Sequence, residues 1–252
     1  PLLFGPRSWS HAAGRVWARC CTMLLRWIVG LRYEVRGAPP KGAALVAAKH
    51  QSTWETLVLT LILHEPAFIM KRSLLFTPPF GIYLWRAGMI GIDRSAGGKA
   101  IRQMLEGARR VLAEGRAVLI FPEGTRRAPG APPAYHPGVA ALYRGAAAPV
   151  YPAALNSGLF WGRNAMMKRP GVVIVEFLEP IPPDLERKAF MRLLEDRIET
   201  ATRALVKEAE EARRQLAQPP QPAHVPQSQP KENDKAGKDR RKEKDRSKRD
   251  EP

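Results

Sequence analysis

The chain has 252 residues, 44% of them apolar, enough for one sizeable hydrophobic core and a small appendage, which excludes a mini-protein that depends on cross-links. Lys and Arg number 41 against 24 Asp and Glu, a net charge of +17 that calls for an anionic partner such as phosphate head groups or nucleic acid. The two cysteines, Cys20 and Cys21, are adjacent, so a disulfide framework and a secreted scaffold are excluded and a reducing compartment is the default.

The first residue is Pro rather than Met, so a fragment or processed form is expected, with a preceding segment removed. From Pro1 to Tyr33 no acidic residue occurs, and Arg7, Arg15, Arg19, Arg26 and Arg32 punctuate an apolar series that includes Trp9, Trp17, Trp27 and Ile28. Arg19 and Arg26 interrupt any run of the roughly 20 apolar residues a spanning helix needs. The mixture of Trp, Leu and Arg suits a helix lying in the head-group plane, with ordinary packing on the domain as the alternative. Residues 1–30 are therefore expected to be an amphipathic, membrane-associating segment.

Beyond it, short apolar runs read as strands: Leu31-Tyr33-Val35, Ala43 to Ala48, Ala67 to Met70, Ala117 to Phe121, Val150 to Leu155 and Val172 to Leu178. Helical patterns lie between and after them at Thr53 to Leu63, Gly98 to Ala113, Gly138 to Gly145 and Leu185 to about Leu216. The alternation predicts an α/β domain over residues 31–218, a layered sheet flanked by helices. Ala128 to Pro137, with four prolines and Gly130, is expected to be a surface loop. Residues 219–252 carry 10 basic and 7 acidic side chains with little apolar content, so a disordered tail is expected and most of the net charge belongs to the body.

Two short stretches carry the chemistry. Lys49-His50-Gln51-Ser52-Thr53-Trp54-Glu55 sits where a strand gives way to a helix. Five residues of helix turn through about 500°, so His50 and Glu55 cannot face each other if both are helical; His50 is placed in the turn. Ser52 and Glu55 match the S-x-x-E capping box, which would hold Glu55 in the first helical turn within reach of the imidazole. Such a pair holds the ring in one tautomer and stabilises the imidazolium formed when it deprotonates an alcohol. The second stretch, Phe121-Pro122-Glu123-Gly124-Thr125-Arg126, follows a strand at the edge where α/β proteins place ligands.

In this order, about 70 residues apart, the two blocks resemble the glycerolipid acyltransferase family, in particular the 1-acyl-sn-glycerol-3-phosphate (lysophosphatidic acid) acyltransferases. The resemblance spans Leu31 to about Glu199. It implies the family's glycerol-3-phosphate acyltransferase-like fold, with His50 as base on the glycerol hydroxyl and Glu55 as its orienting acid. Ile92-Asp93-Arg94 looks like the second block, whose arginine helps hold the glycerol phosphate, and Lys71 and Arg72 are similar to the basic step after the third strand. Glu123, Gly124, Thr125 and Arg126 are implied in substrate binding, the guanidinium by bidentate contact with phosphate. Ala148-Pro149-Val150-Tyr151-Pro152 resembles a fourth block that shapes the acyl side of the pocket. Two departures stand out: Lys49 where the family usually has Asn, expected to add to the positive field around the substrate, and Glu55 where it has Asp.

The resemblance implies lysophosphatidic acid as acceptor, an acyl-coenzyme A or acyl carrier protein thioester as donor, no cofactor or metal, and a membrane surface as partner at the cytoplasmic face of the inner cell membrane. The backbone of Glu123 to Thr125 is the expected source of oxyanion donors. Other lysophospholipids are the alternative acceptors. The rivals from other classes are a non-catalytic anionic-lipid binder and a nucleic-acid binder. No nucleic-acid reading module is present, so nucleic acid is not expected as a partner. Gly91 to Lys99 fails as a P-loop because Ala100 follows the lysine, His64-Glu65 lacks the second histidine of a zinc helix, and G-x-S-x-G is absent. Leu159 to Arg169, rich in Met, aromatic and basic residues, is either a bilayer or acyl-chain contact or ordinary core.

Overall fold

The computed structural model describes residues 5–217. The expected tail, 219–252, lies outside the described residues.

Strand β1 (Leu31–Arg36) is followed by β2 (Ala44–Ala48), α2 (Trp54–Ile62), β3 (Ala67–Lys71), α3 (Phe80–Arg86), β4 (Ile90–Ile92), α4 (Gly98–Ala113), β5 (Ala117–Ile120), α5 (Gly138–Gly145), β6 (Val150–Leu155), β7 (Gly171–Phe177) and α6 (Arg187–Ala217); α1 (Arg7–Leu24) precedes them and ends in a π-helical turn. The strands form one sheet in the order β1-β7-β6-β2-β5-β3-β4. All neighbours are parallel except β6 and β7, so the sheet is mixed. The layered α/β architecture read from the sequence is present, and α4 and α5 have the expected bounds.

The central strands are apolar throughout because both faces are covered. In β2, Leu45 and Ala47 pack with α4, α5 and α6, whereas Val46 and Ala48 pack with α1 and α2. In β5, Val118 and Ile120 share the first core and Leu119 the second. Trp54, 2% exposed, and Leu57, Val58 and Leu59 fasten α2 to the second core. On the other side Phe190, Leu194 and Ile198 recur every four residues along α6 and enter the first.

Helix α1 buries Ser10, His11, Gly14 and Ala18. A Cβ at Gly14 would overlap the Tyr83 hydroxyl, so the glycine sets how closely α1 approaches α3. Arg7 donates to Glu114 at 2.5 Å, and His11 Nε2 lies 3.2 Å from Arg116 Nη2. Trp9 and Trp17 of α1 and Trp27 and Ile28 of the turn after it are exposed. Among the described residues no helix is long and apolar enough to cross a membrane.

Candidate active site

Strands β6, β2, β5, β3 and β4 lie side by side and parallel, so their carboxyl ends open on one edge of the sheet. That edge is where open α/β sheets bind ligands. His50 follows β2, Phe121 to Arg126 follow β5, Lys71 ends β3, Arg94 follows β4, and Ser157 follows β6. Chain segments far apart in sequence thus deliver their polar side chains to one place.

The His50 ring stacks on Phe121, centroids 3.9 Å apart and planes 14° from parallel. Its Nδ1 lies 3.6 Å from Glu55 Oε2 and has no hydrogen-bond partner among the described residues. Glu55, wholly buried, accepts from the backbone N–H of Gln51 at 3.0 Å, from that of Ser52 at 2.9 and 3.0 Å, and from the Ser157 hydroxyl. These donors fix the carboxylate with Oε2 turned toward the imidazole. A 3.6 Å separation is long for a hydrogen bond, and catalytic bonds of this kind commonly tighten only when substrate is bound. The capping box forms only in half: Glu55 takes the Ser52 N–H, but Ser52 Oγ accepts from Trp54 N at 3.1 Å because the helix begins one residue later than the box requires.

His50 opens onto a pocket of about 800 Å3. Lys71, Arg94, Gly124, Thr125, Arg126 and His136 form its polar part; Trp17, Leu57, Phe68, Leu84 and Met89 line an apolar part between α1, α2 and α3. Arg94 Nη1 donates to the Gly124 carbonyl, and Arg126 Nη1 donates to Thr53 Oγ1 at 2.8 Å. Gly124 has φ +63°, and a Cβ there would sit 2.9 Å from His136 Cδ2 and 3.4 Å from Arg94 Nη1. Only glycine lets these groups converge. A hydrogen bond from the Ser95 hydroxyl, with another from its N–H, holds the Asp93 carboxyl below its usual range.

Other expected residues lie elsewhere. Glu123 points away from the pocket; its side chain is 1% exposed and meets Lys49 Nζ at 2.7 Å. Lys49 is equally buried, with Glu199 Oε1 of α6 at 2.6 Å on its other side. Its charge is therefore neutralised by two carboxylates and adds no positive field at the substrate. The reason is strand alternation: Lys49 continues the face of Leu45 and Ala47, toward α6. Arg72 is exposed in the turn after β3 and does not line the pocket. Nor does the Pro149 to Pro152 block, whose Tyr151 packs against the core beneath α1 and α2. The Gly124 N–H is engaged by Phe121 O at 2.9 Å, which removes it as an oxyanion donor. In the Met-rich segment Phe160 is core, whereas Met166 and Met167 are exposed and Lys168 Nζ sits 4.7 Å from the Trp161 ring centre.

Sequence reasoning missed His136, Ser157, Thr53 and Glu199. A histidine closing a proline-rich loop, and a glutamate beside the core residue Ile198, were the available signals. Burial and the nearby Glu199 carboxylate push the Tyr135 hydroxyl pKa well above its ordinary value; Tyr135 donates to Glu199 Oε1 at 3.0 Å.

Residues 32–156 match the family model described as Acyltransferase. The chain is 39% identical over 161 residues to a 1-acyl-sn-glycerol-3-phosphate acyltransferase of Pseudomonas aeruginosa, covering 63% of this chain and 63% of that protein's length. It is 31% identical over 195 residues to the 1-acyl-sn-glycerol-3-phosphate acyltransferase alpha of Ovis aries, covering 75% and 68% respectively. The crystal structure of the 1-acyl-sn-glycerophosphate acyltransferase PlsC from Thermotoga maritima shares the fold, with a TM-score of 0.64 at 19% identity over 79% of this chain and 80% of that one.

Proposed function

Since this chain belongs to the acyltransferase family, we propose that it transfers an acyl group from a thioester to the sn-2 hydroxyl of 1-acyl-sn-glycerol 3-phosphate, giving phosphatidic acid. The observation that carries this reading is one pocket in which an imidazole backed by a buried carboxylate shares the polar part with Lys71, Arg94 and Arg126.

In the reaction His50 removes the proton of the sn-2 hydroxyl as its oxygen attacks the thioester carbonyl. Glu55 faces the opposite ring nitrogen and stabilises the imidazolium. The C–O bond forms, the tetrahedral intermediate collapses with loss of the C–S bond, and the proton returns to the departing thiolate. Lys71, Arg94 and Arg126 hold the phosphate, which aligns the hydroxyl beside His50 and removes much of the entropic part of the barrier. The apolar part of the pocket takes an acyl chain. Three or more cationic groups favour a phosphomonoester over a lysolipid with a zwitterionic head group.

The exposed Trp9 of α1, the Trp17 that borders the pocket, and Trp27 and Ile28 of the following turn, beside arginines, support docking on an anionic membrane surface, where both the lysolipid and its product reside. The free thiols of Cys20 and Cys21 fit the reducing, cytoplasmic side of that membrane.

The test is thiol release from acyl-coenzyme A, and in parallel from an acyl carrier protein thioester, by purified protein in detergent with and without lysophosphatidic acid. Release that requires the lysolipid and falls by about 10²-fold or more in His50→Ala is expected for loss of a general base. Lysolipid-independent release, or an unaffected variant, refutes the mechanism.

A further inference from the structure

Beneath the site lies a chain of buried ionic contacts that the acyl-transfer chemistry does not itself use. Lys49 Nζ stands between Glu123 Oε1 at 2.7 Å and Glu199 Oε1 at 2.6 Å. The second oxygen of Glu123 accepts the backbone N–H of His50 at 3.4 Å. Glu199 comes from α6, beyond the residues matched by the family model, and is steadied by the Tyr135 hydroxyl. One ammonium thus bridges two carboxylates that are almost out of contact with water.

A buried charge whose partner is removed is strongly destabilised, so each member dictates where the others sit. Without Glu199, Lys49 loses half of its anionic environment and is held by Glu123 alone, which also carries the His50 amide. Glu123 is itself part of the Phe121 to Arg126 loop, and Arg127 N bonds His50 O at 2.8 Å, so the loop and the base are tied together; Gly124 N to Phe121 O and His136 N to Pro122 O, both at 2.9 Å, hold the rest of the loop. Disturbing the ionic chain therefore reaches the base by two routes, through Glu123 Oε2 to the His50 amide and through the loop to the His50 carbonyl.

We propose that Glu199 is a positioning residue for acyl transfer, setting the placement of His50 through Lys49 and Glu123. The proposal rests on the functional reading above. It also accounts for lysine at position 49: the residue before the base needs a cation there because α6 brings a second carboxylate to it.

The test uses the full chain with Glu199→Ala, Glu199→Gln, Lys49→Asn and the double variant Lys49→Asn/Glu199→Gln, each checked for folding by thermal melting. For Glu199→Ala, kcat should fall about tenfold with a smaller rise in KM for the lysolipid, a coupling on the scale of contacting networks. Glu199→Gln keeps an acceptor for Lys49 and Tyr135 and should restore most of the rate. Lys49→Asn leaves two carboxylates facing each other without a cation, and the double variant should turn over faster than Lys49→Asn alone. A second readout needs no turnover: in protein labelled with 15N-histidine, the His50 amide signal, assigned by its loss in His50→Gln, should shift in Glu199→Ala and Lys49→Asn. If Glu199→Ala does not fold, Glu199→Gln and the double variant decide the rate comparison. A folded Glu199→Ala with unchanged kcat, a loss confined to KM, a double variant whose loss is the product of the single losses, or an unmoved His50 amide overturns the proposal. If the wild type fails to turn over lysophosphatidic acid, the functional reading falls and the His50 amide alone decides the positioning role.

Discussion

Acidification should loosen this protein through His11, a residue remote from the chemistry. His11 is 2% exposed on the inner face of α1, with Arg116 Nη2 3.2 Å from its Nε2 and Glu65 Oε2 at 4.0 Å. A guanidinium only donates, so Nε2 must accept and the ring must be neutral. Burial, reinforced by the charge of Arg116, lowers its pKa from 6.5 to about 4. The folded pKa lies below the unfolded one, so the stabilisation is complete above about pH 6.5 and is lost as pH falls toward 4. The full shift corresponds to about 3 kcal/mol, and between pH 7.5 and 5.0 His11 alone should remove about 2 kcal/mol of unfolding free energy. Chemical denaturation in mild detergent, followed by intrinsic tryptophan fluorescence, to which the buried Trp54 contributes, measures this. The comparison is His11→Gln, whose amide oxygen still accepts from Arg116 but does not titrate. A wild type and variant that lose stability in parallel between those pH values would refute the reasoning.

Three further outcomes are expected. Glu55→Gln keeps one oxygen for the Gln51 and Ser52 N–H groups but turns an uncharged N–H2 toward the His50 ring and against the second Ser52 contact; kcat should fall by about 10²- to 10⁴-fold, with a lower melting temperature, and Glu55→Asp should recover part of the rate. Arg126→Lys removes the planar fork while keeping the charge, and should raise KM for the lysolipid by about tenfold with a smaller effect on kcat. The double substitution Trp27→Glu/Ile28→Glu alters only exposed side chains of the turn after α1; sedimentation with anionic vesicles should weaken severalfold while melting in detergent stays unchanged.

Much of the scaffold was legible because its signals are local. Six of the strands were visible as apolar runs, and the bounds of α4 and α5 follow from glycine and proline punctuation. Strand β4, three residues from Ile90 to Ile92, is too short to show a period, and α3, seven residues rich in aromatics, offers no polar face to reveal one. The strand order depends on pairings between distant segments, such as Ala47 with Ile120, which no local pattern encodes. At the site, the approach of Glu55 to His50 followed from their spacing, whereas Arg126 was singled out only by the resemblance of its block to a family motif. Lys49 was misplaced because its charge was weighed without its face: counting alternately from Leu45 turns it away from the pocket, and toward α6. Glu199 was hidden in a helix where charged residues are ordinary, one position from the core residue Ile198.

The parity of β2 has a further consequence for how this protein folds. Lys49 and His50 are consecutive, and each belongs on the opposite side of the same central strand. Slipping β2 by one position against β5 would either send the Lys49 ammonium into the pocket and leave Ala48 between Glu123 and Glu199, or bring the His50 imidazole between those carboxylates and Gln51 into the pocket. The ionic cluster therefore works as an alignment check on the middle of the sheet: a chain mispaired by one residue strands two carboxylates without their cation. A misaligned molecule is then unstable as well as inactive, so few inactive molecules should persist in the folded population.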